Sequence, residues 1–210
     1  MKIVVITGSH HKNGTSAHLA AAFIRGAEET GHEVCRFDAA FRQVHPCIAC
    51  ETCHNTDRGC AFADDMKTLY PELLEADAVA FATPIYYYAM NAQIRAVIDR
   101  FYACDAQLHH NKKTALLVTM ADNTMESAAG AIASFQGMAK FLDWDIAGMV
   151  IGADCMDVPA LERTDYEEQA YQLGKQYKNK QKIGGFFHGK TDRRQRCPWN
   201  ICTAVCGIER

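Results

Sequence analysis

Lys2-Ile3-Val4-Val5-Ile6-Thr7-Gly8-Ser9-His10-His11-Lys12-Asn13-Gly14-Thr15-Ser16 is the stretch on which the fold turns. Its first six residues read as a buried strand. Leu19, Ala20, Phe23, Ile24 and Ala27 then recur at helical spacing, and Gly31 suits the end of that helix. Between strand and helix lie small, hydroxylated residues. Such a turn builds an anion site, because free backbone N–H groups converge there, the helix dipole adds positive potential, and hydroxyls donate further bonds. No lysine follows Gly14, so this is not a Walker A loop, and the glycine pattern of dinucleotide folds is missing. A phosphate monoester is the most natural ligand; a plain helix cap rich in Ser and Thr is the other reading.

Working outward, the alternation continues. His32–Phe37, Ala78–Thr83 (closed by Pro84), Thr114–Met120 and Ile146–Ile151 read as further strands. Helical spacing marks Met66 to Leu74, capped by Asp64-Asp65 and kinked or interrupted by Pro71; then Met90 to Phe101, Ala128 to Leu142 and Tyr166 to Tyr177. Five strands alternating with five helices imply a doubly wound α/β fold with a parallel sheet covered on both faces. In the strand order 2-1-3-4-5, strands one and three are neighbours whose connections leave in opposite directions, which opens a crevice at their carboxyl ends. The phosphate turn would flank that crevice on one side. Thr83-Pro84-Ile85-Tyr86-Tyr87-Tyr88 would flank it on the other and suit a flat heteroaromatic ligand, although an aromatic-rich core edge explains those residues equally well.

The composition agrees with a globular α/β chain. Of 210 residues 49% are hydrophobic and 22% charged, with a net charge of −3, which excludes disordered, collagen-like and coiled-coil classes. No apolar run approaches the roughly 20 residues of a membrane span. The N-terminus lacks a signal-peptide pattern, so the expected compartment is the cytoplasm. From Lys175 onward nine basic and two acidic side chains give a local +7, leaving −10 on residues 1–174. This shift divides the chain into a domain at 1–179 and a basic, cysteine-containing extension at 180–210. The negative net charge and the lack of a recognised module argue against nucleic acid.

Ten cysteines in a reducing compartment are ligands, nucleophiles or core residues rather than disulfides. Cys35, Cys104 and Cys155 are scattered and read as buried apolar side chains. Cys47, Cys50, Cys53 and Cys60 fall in a connection of more than twenty residues, far above the usual length, between Ala39 and Asp64. Two-residue gaps let consecutive thiolates wrap one face of an iron–sulfur cube while a longer gap returns the fourth. Zinc and free or redox-active thiols remain open beside that reading, although zinc usually takes two separated pairs. Cys197, Cys202 and Cys206 read as a second metal site, as a neighbour to the first, or as part of a basic extension that packs on a partner subunit or is partly disordered. Asp99-Arg100 reads as an ion pair or a subunit contact, and His54 and His109-His110 as solvated loop residues. No hydrolytic triad or carboxylate pair is present.

Several linked motifs, in order over about residues 1–175, resemble one family: Gly8-Ser9 through Ser16, Cys47-Ile48-Ala49-Cys50, Asp64-Asp65-Met66, Ala76-Asp77-Ala78, Thr83-Pro84-Ile85-Tyr86 and Ile98-Asp99-Arg100-Phe101. They are similar to the flavodoxin-like NAD(P)H-dependent FMN reductases, particularly the iron–sulfur flavoprotein branch. The resemblance implies a flavodoxin-like fold, non-covalent FMN, NAD(P)H as co-substrate, and a [4Fe–4S] cluster on Cys47, Cys50, Cys53 and Cys60. By position, Ser9, His11, Asn13, Gly14, Thr15 and Ser16 would hold the phosphate. Pro84, Ile85, Tyr86 and Tyr87 would contact the isoalloxazine, flanked by Ala121, Asp122 and Asn123. His11 stands where the family commonly has arginine or lysine. The cofactor carries the chemistry, so no catalytic acid or base is assigned. A small-molecule acceptor or a ferredoxin-like protein would take the electrons, and assembly would be a homodimer or homotetramer. A pure electron carrier and a redox- or metal-responsive binding protein are the rival readings.

Overall fold

The computed structural model describes residues 1–56 and 58–177. The basic extension, with Cys197, Cys202 and Cys206, lies outside the described residues. Strands β1 (Lys2–Thr7), β2 (Glu33–Asp38), β3 (Ala78–Tyr86), β4 (Ala89–Met90), β5 (Lys113–Thr119) and β6 (Asp145–Gly152) form one sheet in the order β2-β1-β3-β5-β6, with β4 attached to the end of β3. The five long strands are parallel and follow the expected 2-1-3-4-5 order.

β4 is an addition. It pairs antiparallel with β3 through Ile85–Met90 and Tyr86–Ala89, leaving Tyr87 and Tyr88 as a two-residue hairpin turn with φ of +46° and +64°. Such turns ordinarily carry Asn-Gly, so three tyrosines gave no warning of it. β3 also runs past Pro84 instead of ending there. β1 accompanies it only to Ala82, so Pro84 sits where one side of the strand has no partner and its missing N–H breaks no ladder bond.

Helices α1 (Thr15–Glu29), α2 (Thr52–Asn55), α3 (Met66–Glu75), α4 (Ala92–Asp99), α5 (Asp105–Leu108), α6 (Ala129–Phe141), α7 (Val158–Glu162) and α8 (Tyr166–Lys175) fill the connections. The expected helix from Met90 to Phe101 is α4 followed by a 3-10 turn, Arg100–Cys104. α3 continues through Pro71, which neither ends nor splits it. Alternate strand residues face opposite layers, as a period of two requires. Val4, Ile6, Val79, Phe81, Leu116 and Val118 pack on Leu69, Leu73, Ile94, Val97 and Phe135 of α3, α4 and α6. Ile3, Val5, Ala80, Ala82, Ala115 and Leu117 pack on Leu19, Phe23, Ala170 and Leu173 of α1 and α8. Small strand residues on this second face leave room for two helices whose backbones nearly touch. A Cβ at Gly26 would lie 2.1 Å from the Tyr171 carbonyl oxygen, and one at Gly174 would lie 2.1 Å from that of Phe23. Behind α3, buried Lys112 donates through Nζ to the carbonyls of Leu74 and Ala76 and so closes the end of that helix.

The long connection after β2 is clasped at its base. Gln43 N–H donates to the Asp65 carboxylate and Asp65 N–H returns a bond to the Gln43 carbonyl, while His45 N–H donates to the Asp64 carboxylate. Asp64 also accepts from Met66 N–H at 3.1 Å, so it, rather than Asp65, caps α3. His45 Nδ1 lies 3.3 Å from the same carboxylate, and Arg100 completes its partners in a two-pronged ion pair at 2.7 and 3.2 Å. Asp99 therefore does not pair with Arg100; it meets Arg95 one turn earlier, at 3.2 Å.

Candidate functional site: a strand-end cavity and a four-thiol loop

The carboxyl ends of four strands surround one cavity of about 730 Å³. That size suits a cofactor-sized ligand. The turn after β1 contributes the whole of Ser9–Ser16, β3 contributes Pro84, Ile85 and Tyr86, β5 contributes Thr119, Met120 and Ala121, and the segment after β6 contributes Cys155–Val158. Gly14 stands before α1 in an extended conformation, with no side-chain cap, so the first amides of a fifteen-residue helix open toward the cavity. The turn is held tightly: Gly14 N–H bonds the His11 carbonyl at 3.0 Å, and His11 N–H bonds Ser9 Oγ at 3.0 Å. A Cβ on Gly14 would lie 2.8 Å from that of His11 and 3.3 Å from its carbonyl oxygen, so a larger residue would force the turn open. Across the cavity floor Thr15 Oγ1 meets Thr119 Oγ1 at 2.8 Å. An uncapped helix end, hydroxyls and an apolar far wall fit a phosphate joined to a flat ring system.

The structure places the expected residues unevenly. Ser9, His11, Asn13, Gly14, Thr15, Ser16, Pro84, Ile85, Tyr86 and Ala121 line the cavity. Tyr87 and Asp122 line an adjoining cavity of about 290 Å³, which shares Ile85, Met120 and Ala121 with the first. Asn123 lines neither. The Asp122 carboxyl is held below its usual range by the Ser127 hydroxyl and the Thr124 amide, which fixes a negative charge at this edge. Sequence reasoning missed Thr119, Met120 and the whole segment after β6. The signal was available: in this topology every loop at the strand carboxyl ends faces the same crevice. Cys155 is buried as expected, yet it forms part of the wall, and burial pushes its thiol up toward the protonated form.

The four loop cysteines line a second, separate cavity that shares no residue with the first. Cys47, Cys50, Cys53 and Cys60 are joined there by Phe62, Arg100, Tyr102 and Ala103. All four are free thiols. The chain turns through φ of +52° at Ala49 and +58° at Glu51, one on each side of Cys50, and α2 then brings Cys53 round. Left-handed backbone at two non-glycine residues is a strain that clusters at ligand clamps. The Thr52 hydroxyl and backbone amide hold the Cys50 thiol below its ordinary value, whereas burial and the other three sulfurs push Cys53 up. Among the described residues no three His, Cys, Asp or Glu side chains stand close enough to hold a single metal ion. The donor set, four thiols on one small cavity of about 20 Å³, nonetheless fits a thiolate-bound cluster in its chemistry. His54 is not simply solvated: its Nε2 lies 2.8 Å from the Tyr102 carbonyl and its ring packs on Tyr102.

A doubly wound sheet with a small-residue, hydroxyl-bearing turn and an aromatic edge at its carboxyl ends defines a flavodoxin-like α/β protein. The family model for NADPH-dependent FMN reductases matches residues 1–148, and the chain belongs to that family. An iron-sulfur flavoprotein of Methanocaldococcus jannaschii is 33% identical over 114 residues, covering 54% of this chain and 55% of the relative. One from Archaeoglobus fulgidus is 37% identical over 98 residues, 47% of this chain and 49% of its own. The chain thus spans about half the length of the curated relatives it matches. Among solved structures, the azoreductase AzrA superposes with a TM-score of 0.65 at 14% identity, over 84% of this chain and all 100% of the other. NAD(P)H:quinone oxidoreductase from Methanothermobacter marburgensis gives 0.63 at 15% identity, over 83% and 96%. These two likenesses establish the fold. Among the described residues no helix is long and apolar enough to cross a membrane.

Proposed function

We propose that this chain is an FMN-dependent oxidoreductase that takes electrons from NAD(P)H. It passes them to a small acceptor such as a quinone or nitro compound or, through a [4Fe–4S] cluster on Cys47, Cys50, Cys53 and Cys60, to a redox partner protein. The observation that carries this reading is the strand-end cavity of about 730 Å³, with an uncapped helix start at one end and Pro84, Ile85 and Tyr86 at the other. In it, the α1 amides with Ser9, His11, Asn13, Thr15 and Ser16 bind the FMN phosphate. The β3 end and Ala121 seat the ring, with Tyr87, Asp122 and Asn123 at its margin. Bound there, FMN supplies hydride acceptance at N5 and onward release of electrons singly or in pairs, and bound in the thiol cavity a cluster supplies one-electron transfer. The residues bind, orient and shield; none acts as acid or base. Tyr86, Tyr87, Tyr88 and Met156 stand exposed beside the cavities, which supports assembly as a homodimer or homotetramer across this mouth.

Anaerobic purification tests the reading. The expected product is yellow-brown, binds one FMN per chain, contains iron and acid-labile sulfide, and oxidises NADH or NADPH rapidly. Gly14→Val, which drives a side chain against His11 and distorts the turn, is expected to weaken FMN binding tenfold or more, about 1.4 kcal/mol. A protein that takes up no flavin when FMN is added overturns the proposal. Slow pyridine-nucleotide oxidation beside fast exchange with reduced ferredoxin would replace the reductase by an electron carrier.

A further inference from the structure

Arg100 is 1% exposed, and it lines the cavity that holds the four loop thiols. Both of its Nη atoms are engaged: Nη1 donates to Asp64 Oδ2 at 2.7 Å and to the His45 carbonyl at 2.9 Å, and Nη2 donates to Asp64 Oδ1 at 3.2 Å. The exception is Nε. It is buried and has no acceptor among the described residues. Leaving a buried donor unpaired costs about 1–3 kcal/mol, more for a charged group, so natural structures rarely leave one without reason.

The donor is also held in place. The Asp64 fork fixes the guanidinium plane, and the Phe62 ring, itself stacked on His45 at 4.8 Å, lies 5.0 Å below Arg100 Cζ. The Glu51 carboxylate, the one acidic side chain on the cavity wall among the described residues, already accepts the Tyr102 hydroxyl at 2.9 Å. Among the described residues the rest of the wall is the Tyr102 ring, sulfur and apolar surface; the Tyr70 hydroxyl, which donates to the Arg100 carbonyl at 3.2 Å, and Cys60 are both near enough to act electrostatically on the guanidinium.

We propose that Arg100 donates its Nε–H to a sulfur of the group bound by Cys47, Cys50, Cys53 and Cys60, and thereby raises the potential at which that group accepts an electron. The inference rests on the cluster reading given under Proposed function. Hydrogen bonds to cluster sulfurs favour the more negative, reduced form, and an adjacent guanidinium acts in the same direction. A purely structural arginine would pin the base of the loop through Asp64 and His45 and leave the potential alone.

The test compares the full-length chain, reconstituted anaerobically with iron and sulfide, with its Arg100→Lys variant. Lysine keeps the charge and a bond to Asp64 but has no donor at the Nε position. The expected result is unchanged iron and sulfide content with a tenfold or greater loss in the equilibrium constant for reduction, a fall of about 59 mV for a one-electron couple. An unchanged potential on a loaded variant overturns the inference and leaves the cluster reading intact. Wild-type protein that takes up no iron or sulfide overturns the cluster reading, and the inference falls with it. Should the lysine variant fail to fold, nitrogen-15 ENDOR on the reduced cluster of arginine-labelled protein decides the matter, with Arg58, the arginine between Cys53 and Cys60 in the sequence, replaced by lysine so that it contributes no signal. A coupled guanidinium nitrogen is expected, and its absence overturns the proposal.

Discussion

The side-chain amide of Asn91 donates to the backbone carbonyl of Gly8, joining the turn after β1 to the start of α4. The same side chain accepts the Thr83 hydroxyl at 3.1 Å and the Ile94 amide at 3.5 Å, so it also caps α4. Position 8 must be glycine, because a Cβ there would lie 2.1 Å from Asn91 Oδ1. Neither residue lines the cavity, yet one buried amide ties the turn after β1 on one side of it to the β3 end on the other. Asn91→Ala is expected to cost about 2–3 kcal/mol in urea unfolding, through a lost cap and unpaired groups at Gly8 and Thr83. FMN affinity is expected to fall with it. Asn91→Asp keeps the cap but cannot donate to Gly8, and should lose binding while losing less stability.

The contact between α1 and α8 gives an internally controlled test. Gly174→Ala drives a methyl into the backbone of Phe23 and is expected to destabilise by about 1–3 kcal/mol. Gly137, within α6, meets nothing within 4 Å of an added Cβ, so Gly137→Ala is expected to stabilise by about 1 kcal/mol. Equal effects at the two positions would contradict the close approach of the helices.

The Tyr87-Tyr88 turn carries two left-handed residues other than glycine. Replacing the pair with Asn-Gly removes a cost of about 1–2 kcal/mol per residue, and the melting temperature should rise. Unchanged stability would show that the tyrosine side chains offset the strain.

Acid should act through Asp64. Burial alone would raise its pKa, but the Arg100 bonds and the amides of His45 and Met66 prevail and hold it at about 2. Because the folded value lies below the unfolded one, the stabilisation is complete above about pH 4 and disappears as pH falls toward 2, some 2 kcal/mol in all. Asp64→Asn should flatten the pH dependence of unfolding in that window.

The strand order and the turn that lines the strand-end cavity were legible because they rest on periodicity and on residue types at one strand end. Ile3 and Val5 against Val4 and Ile6 announce a sheet covered on both faces. Two kinds of feature were hidden. Tyr87 and Tyr88 adopt a turn that their chemistry disfavours, so tertiary context overrides local preference. Arg100 finds its partner thirty-six residues away at Asp64, not beside it at Asp99, and nothing in the local spacing encodes that pairing. Thr119, Met120 and Cys155 were readable only by asking which loops share an edge of the sheet.

The clasp formed by Gln43, His45, Asp64 and Asp65 separates the history of the cysteine segment from that of the sheet. Residues 46–63 leave and re-enter the body at one point, so their length and ligand set can change by insertion, deletion or graft without moving a strand. A lineage can thus acquire, reshape or discard its thiol loop while the nucleotide-binding body stays as it was.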